Sequence, residues 1–560
     1  MDWHSRSGQP QATSQPTPAR WVYFGTNLLV DANVDSGLAM LTKASKLGYN
    51  GAMVADSKFC RWGDLPDRYQ ANCTRFRDGV RKLGMKFVAC VAPIGYSNDI
   101  LGKDPNLAEG LPVVDAPFLA TSDGHLVPAD EHPLKNGGFE EAKGDSPAGW
   151  DFVDQPGKVC VLDHTNAAEG GTSLRMSDIG KLDPEAGHAR AEQTLHLQPF
   201  HYYHVSLKVK TKEFDTAATT QILALGASGQ ALQYVTPPIE RTMPWTQIDV
   251  TFNTLDNSTV SFYIGVWGGK DGTIWWDDVK IEPAGLVNLV RRVGAPFRVT
   301  SNDGATTYTE HKDYDNATDP KMGNHSWVGD FDVWHAGPTL SIPAGSRIHP
   351  GDTVKVSYCH TALVYGGQAM ICLAEPKTKE LLAWQIAQVH KNLAPDGYML
   401  SHDEIRITGW DASCVAAGET PGQMLAANVK ACIAMVRKED PGKQVLVWSD
   451  MFDPTHNAQP KGKYYLVKGD GPWSGSWSGL DKNVTIVNWQ SNPTTRAASL
   501  AHFAKLGCHQ ILAGYYDGPP DSIVSWMTDA SKVKGFDGVM YTTWVGNFGD
   551  LAPFAKASGG

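Results

Sequence analysis

Apolar runs of strand length alternate with stretches of helical apolar periodicity in two separate blocks of the chain. In the first block, residues 22–28, 51–56 and 86–93 read as strands, with helices expected over 37–47 and 67–83. Each period covers about 30–35 residues, the size of a βα unit, which points to a parallel sheet or barrel. Between about residues 97 and 365 the helical period disappears. Short alternating runs such as 203–209, 260–266, 339–343 and 352–358 are punctuated there by Gly, Asn, Asp and Pro. A structureless connection of that length is foreign to a compact domain, so the region reads as inserted β structure.

The second block opens at Ala369. A helix is expected over 378–393, with Leu381, Leu382, Trp384, Ile386, Ala387 and Val389 as its apolar set. Strands follow at 397–404, 444–450, 484–490, 510–517 and 538–544, with helices over 422–437, 494–506 and 522–533 between them. Together the blocks supply eight strands, the number that closes a parallel barrel without edges. The expected fold is therefore α/β, a (β/α)8 TIM barrel interrupted after strand three by one or two inserted all-β domains. Its expected boundaries are a tail over 1–20, barrel over 21–133 and 366–560, a β-sandwich over 134–285 and a small β-rich piece over 286–365.

In such a barrel the C-terminal strand ends converge on one site. Here they carry Asn27, Asp56, Pro93 with Tyr96, Asp403 with Glu404, Trp448 with Asp450, Trp489 with Gln490, Tyr515 with Tyr516 and Asp517, and Trp544. The adjacent acids Asp403 and Glu404 follow a buried apolar run. Taken alone, such a dipeptide is more readily a helix cap and a Glu404–Arg406 salt bridge than a catalytic pair. Aromatic residues at the ends of all four later strands reverse that balance, because a sugar pocket needs aromatic walls with a few polar groups between them. His402 could orient a carboxylate, contact sugar or serve as a buried structural histidine. Trp410, Asp411, His456 and Asn457 are further rim candidates.

Composition then narrows the partners. A net charge of −11 without any Lys/Arg-rich stripe leaves nucleic acid an unexpected partner. The nine Cys lack ligand spacing and read as buried thiols or an incidental disulfide, and no apolar run of about 18 residues exists to span a membrane. Strand ends almost free of His disfavour a zinc hydrolase. The first 20 residues have no apolar core, and read either as a disordered tail or as a remnant standing in place of a removed leader. A carbohydrate partner is expected, with a secreted or periplasmic location following from that chemistry; the oligomeric state is not legible.

Two resemblances sharpen these expectations. Asn136-Gly137-Gly138-Phe139-Glu140 and Trp276-Asp277-Asp278-Val279-Lys280-Ile281 resemble the terminal strands of β-sandwich carbohydrate-binding modules. That resemblance implies a structural calcium held by Glu140 and Asp277; Trp267, Trp245 and Tyr234 are candidate sugar platforms. The Asp403-Glu404 pair on strand four, the later Trp residues and a strand-seven Tyr resemble the (β/α)8 glycoside hydrolases of the family 20 β-N-acetylhexosaminidase group. This likeness implies Glu404 as general acid, and Asp403 as the group that orients a substrate 2-acetamido carbonyl for attack on the anomeric carbon. It also implies Tyr515 or Tyr516 as donor to that carbonyl, with no catalytic cofactor. Ser401-His402 stand where that group commonly has Gly-Gly, and no Trp-Glu motif follows strand eight. Two alternatives stay open. One is a retaining β-glycosidase of the family 5 clan with Asp517 as nucleophile; the other is a non-catalytic carbohydrate-binding protein.

Overall fold

The computed structural model describes residues 18–559, and its centre is a closed barrel of eight parallel strands. They are Ala19–Gly25, Gly51–Ala55, Lys86–Val91, Gly397–Leu400, Gln444–Trp448, Val484–Asn488, His509–Tyr515 and Phe536–Thr542. The fourth strand pairs with the third (Gly397 opposite Val88), and the first with the eighth (Trp21 opposite Met540), which closes the ring. Of the tail expected over 1–20, residues 1–17 lie outside the described residues. Ala19 and Arg20 already belong to the first strand, where Arg20 lies opposite Val539 and its N–H donates to Asn50 Oδ1 at 3.0 Å.

Alternation along each strand sends one set of side chains to the helices and the other inward. Trp21, Met53, Val88, Met399, Leu446, Val487, Ile511 and Met540 fill the interior. One pleat higher, Tyr23, Cys90, Trp448 and Trp489 form the layer beneath the mouth. The first helix runs over Asp31–Lys46 and so begins before Gly37. A Cβ at Gly37 would stand 2.7 Å from Phe24 Cζ and 2.9 Å from Phe76 Cε2, so this glycine permits close helix–barrel packing inside the helix.

Between the third and fourth barrel strands the chain builds antiparallel sheets. One five-stranded sheet runs in the order Met243–Asn253, Tyr202–Lys212, Thr273–Pro283, Ser173–Ser177, Cys160–Asp163. A second runs Ala231–Val235, Thr219–Gly226, Thr259–Trp267, Ala189–His196, Phe152–Val153. Tyr203, Val250, Phe262 and Trp276 lie in the core between them. A third sheet pairs Leu111–Ala120 with Thr353–His360, so the outgoing and returning chain lie side by side over a separate core of Val113, Phe118, Leu286 and Val356.

Buried charges join this region to the barrel loops. Arg292 pairs with Asp411 and lies 3.2 Å from Glu375 Oε2. Glu109 Oε1 accepts the N–H groups of Gly409 at 2.9 Å and Trp410 at 3.1 Å. Burial, with the charge of Asp411 second, pushes the Glu109 carboxyl up to about 7. A raised folded-state pKa gives stability that is complete below the ordinary glutamate range and is lost as pH rises through about 7. The rise corresponds to about 3 kcal/mol. Glu109→Gln, which mimics the protonated side chain, should therefore lose less stability than the parent protein between pH 5 and pH 8 in urea titrations. Equal losses would show that Glu109 does not titrate with folding.

Candidate active site at the barrel mouth

The fourth strand ends at Leu400, short of the acids. His402 and Glu404 adopt φ of +44° and +45°, so the chain leaves the ladder in a tight, twisted segment. The third-strand loop packs against it. Asp403 N–H donates to Ile94 O at 3.2 Å, and a Cβ at Gly95 would collide with the Asp403 carbonyl oxygen. This segment presents two carboxyls in different surroundings. That of Asp403 is half-buried, and the hydrogen bond that lowers its pKa comes from its own backbone. It is pushed well above the ordinary carboxylate range by burial first, then by the charges of Asp450 and Glu404.

Glu404 is instead held on both oxygens. Oε1 lies 2.9 Å from Arg406 Nη2, and Oε2 accepts from the Tyr96 hydroxyl. Arg406 Nη1 also donates to Gln368 Oε1 at 2.6 Å, and Gln368 Nε2 donates to the Glu404 carbonyl at 3.2 Å. The guanidinium lies over the rings of Tyr365 at 4.1 Å and Tyr465 at 5.1 Å. The salt bridge of the simplest sequence reading thus exists, and it belongs to the mouth. Asp450 lies beneath the pair, fully buried. Its Oδ2 accepts Glu404 N–H and Asn457 Nδ2, both at 2.9 Å, and its Oδ1 accepts Trp489 Nε1 at 3.2 Å.

Aromatic rings wall this opening. Tyr23 lies 5.9 Å from Trp448 and 5.1 Å from Trp544, which are themselves 6.0 Å apart. Tyr516 stands 5.9 Å from Trp489, nearly parallel to it, and 5.9 Å from Trp544 in an edge arrangement. His456 closes edge-on against Trp489 at 4.2 Å. Tyr516 is 45% exposed and Trp544 48%, which leaves ring surface open at the rim. The sequence reading missed Tyr23, whose only signal is its position one pleat above Trp21. It also missed Tyr365, Gln368 and Tyr465, which sit in loops without periodicity.

Other expected site residues turn away from the opening. Asp56 accepts Leu28 N–H at 2.8 Å, Lys58 N–H at 2.9 Å and the Tyr69 hydroxyl at 3.2 Å, so it pins a loop on the helix side. Asn27 Oδ1 accepts Leu29 N–H at 3.1 Å in a local turn. His402 Nε2 meets Asn428 Oδ1 at 2.9 Å, and burial lowers its pKa to about 4, so it is a neutral structural histidine beneath the helix Pro421–Glu439. Gln490 Nε2 donates to Thr455 O at 3.0 Å and braces a rim loop. Asp411 caps the helix Ala412–Ala417.

Tyr515, Tyr516 and Asp517 all have φ between +52° and +67°, which ends the strand alternation. As a result Tyr515 stacks on Tyr541 at 4.2 Å and donates to Asp550 Oδ2 at 2.8 Å, leaving Tyr516 to face the mouth. Asp517 accepts the Thr543 hydroxyl and, at 2.7 Å, Trp544 N–H, so it clamps the end of the eighth strand.

In the sandwich, Glu140 and Asp277 converge on one loop through backbone donors. Glu140 Oε1 accepts Gly171 N–H at 2.8 Å and Thr172 N–H at 3.0 Å. Asp277 accepts Ala168, Glu169 and Asp278 N–H at 2.6, 3.1 and 2.7 Å. A calcium ion needs six to eight oxygen ligands. Amide donors already occupy three of these four carboxylate oxygens, so the residues present do not fit the expected calcium and instead pin the loop.

The outer face of the second sandwich sheet carries a transverse row. Phe152, Glu192, Tyr263, Leu223 and Tyr234 lie opposite one another in successive strand registers. Trp267 stands on the same face beneath Arg190, whose guanidinium lies 5.9 Å from its ring. Trp245 belongs to the other sheet and does not join the row.

Comparison with known proteins supplies independent findings. Residues 132–273 match the family model of a carbohydrate binding domain. A tRNA nuclease WapA from Bacillus subtilis (strain 168) is 25% identical over 194 residues, 33% of this chain and 8% of its own length, so the chain spans less than a tenth of that relative. Among solved structures, TmCBM61 in complex with beta-1,4-galactotriose is similar over 27% of this chain and 99% of its own, at 16% identity and a TM-score of 0.22. A rhamnosidase from Novosphingobium sp. PP1Y is similar over 94% of this chain and 55% of its own, at 10% identity and a TM-score of 0.31. The comparisons bear on one segment: residues 132–273 match a carbohydrate binding domain, within a larger chain that also holds a closed parallel barrel.

Proposed function

We propose that the protein is a glycoside hydrolase that cleaves β-glycosidic bonds of an oligo- or polysaccharide at the barrel mouth, with residues 134–285 as its carbohydrate-binding module. The observation that carries this reading is the meeting of Asp403 and Glu404 with Tyr23, Trp448, Trp489, Tyr516 and Trp544 at one barrel end. An apolar wall desolvates the bound sugar and seats its C–H faces, while two carboxyls in unlike environments supply acid and anion chemistry. A polysaccharide substrate also favours a secreted or periplasmic location.

The environments suggest a division of labour different from the one the family resemblance implies. Asp403, whose carboxyl is raised by burial and two neighbouring acids, is the better proton donor of the pair and would protonate the leaving oxygen. Glu404, the anionic half of an ion pair with Arg406, would stabilise the positive charge that develops on the sugar. No enzyme nucleophile is needed if the substrate's own 2-acetamido oxygen attacks the anomeric carbon. Two features support that route. Asp517, the nucleophile of the alternative mechanism, is fully engaged as a clamp, and Asp56 is engaged on the helix side. Tyr516, whose ring faces the mouth, would then donate to the acetamido oxygen.

Two measurements test this reading. Asp403→Asn should lower kcat/KM by about 10²- to 10⁴-fold on a glycoside with a poor leaving group. It should lower it far less on a 2,4-dinitrophenyl glycoside, whose departure needs no proton, whereas Glu404→Gln should impair both. The reverse pattern would return the proton-donor role to Glu404. In the pH profile of kcat/KM, the alkaline limb reports loss of the Asp403 proton. Asp450→Asn removes a neighbouring negative charge, lowers that pKa and should move the limb to lower pH. A limb that stays in place would mean that another group donates.

A further inference from the structure

The sandwich face and the barrel mouth meet at a specific seam. The row Phe152–Glu192–Tyr263–Leu223–Tyr234 crosses all five strands of its sheet and ends on the edge strand Ala231–Val235. With neighbouring strands about 4.8 Å apart, the row is roughly 19 Å long, room for several sugar units. Phe152 is 42% exposed and Tyr234 36%, while Glu192 and Leu223 between them are nearly covered, which makes a floor with raised aromatic ends.

The edge strand docks directly on the loops that carry the Arg406 cluster. Gln230 Nε2 donates to Tyr465 O at 3.1 Å, and Gln233 Nε2 donates to Leu363 O at 3.0 Å. Tyr234 shares one narrow crevice with Tyr365 and Tyr465. These two tyrosines flank the guanidinium of Arg406, the ion-pair partner of Glu404. Tyr365 is 53% exposed although its ring is backed by Arg406 at 4.1 Å, so it offers a free face on a fixed support.

We infer that the sandwich face and the barrel mouth form one continuous track for a single saccharide chain, with Tyr234, Tyr365 and Tyr465 bridging the two. The occupant is an extended, uncharged or weakly charged polysaccharide strand. Aromatic steps along the path provide stacking surfaces, and residues 132–273 match a carbohydrate binding domain. The inference rests on the hydrolase reading only for what happens at the end of the track; the continuity is a matter of binding. It makes the carbohydrate-binding domain an extension of the substrate cleft, whereas a separate anchor would bind a chain of its own.

Calorimetry on the full chain carrying Asp403→Asn separates the two ideas. The ligands are β-1,4-linked N-acetylglucosamine oligosaccharides of two to six units and the matching glucose series. One hexasaccharide should bind per protein, more tightly than the disaccharide. Tyr234→Ser and Tyr365→Ser should each weaken the hexasaccharide by about three- to tenfold, the worth of one aromatic stacking contact, and Tyr365→Trp should preserve it. Two hexasaccharides per protein, an affinity indifferent to either tyrosine, or no binding of either series would overturn the track. Turnover of 4-nitrophenyl β-glycosides by the unsubstituted protein reads the hydrolase proposal separately: its absence alongside one-to-one, tyrosine-dependent binding would remove the catalysis and leave the track standing.

Discussion

One guanidinium holds the mouth together. Arg406 reaches the Glu404 carboxylate, Gln368 and the Tyr96 hydroxyl, and its faces lie against Tyr365 and Tyr465. These partners arrive from the third-strand loop, the segment returning from the insertion, the fourth-strand loop and the fifth-strand loop. Its side chain is almost wholly buried, so its charge must be matched within the protein; Glu404 is the carboxylate that matches it. Truncating either partner would leave the other charge buried and unpaired, a loss of about 3–5 kcal/mol that the four loops would share.

From that fixed ion pair the electrostatics of the site follow. Glu404 stays beside the cation, and Asp450 is saturated by three N–H donors beneath it. Asp403, next in sequence to Glu404, carries the repulsion of both. Adjacent residues thereby sit in unlike surroundings: Glu404 is paired with a cation, whereas Asp403 faces two neighbouring acids. The insertion is joined to this site, because Gln230 and Gln233 donate to Tyr465 and Leu363 in the loops that flank Arg406.

The barrel was legible in the sequence because parallel strands are buried on both faces and read as unbroken apolar runs. All eight strands lie where those runs lie. Their ends were less legible, since the pattern says nothing about backbone that leaves the ladder. Left-handed φ at His402 and Glu404 turns the imidazole toward Asn428, and left-handed φ at Tyr515 to Asp517 exchanges which tyrosine faces the mouth. Acids at strand ends are ambiguous for a related reason. A carboxylate that caps a neighbouring loop looks the same in sequence as one that meets substrate, and Asp56 and Asp517 proved to be of the first kind. Glu140 and Asp277 were marked by a recognisable motif, but the backbone amides that occupy their oxygens come from a loop with no motif of its own.

The central claim is that the Asp403–Glu404 pair cleaves a glycoside through a ring formed by the substrate's acetamido group. A sugar-fused thiazoline is a stable mimic of that ring, and titrating it into the protein tests the claim most directly. The account predicts binding much tighter than that of the parent N-acetyl sugar, lost in Glu404→Gln. A protein that hydrolyses glycosides yet binds the thiazoline no better than the sugar would contradict it.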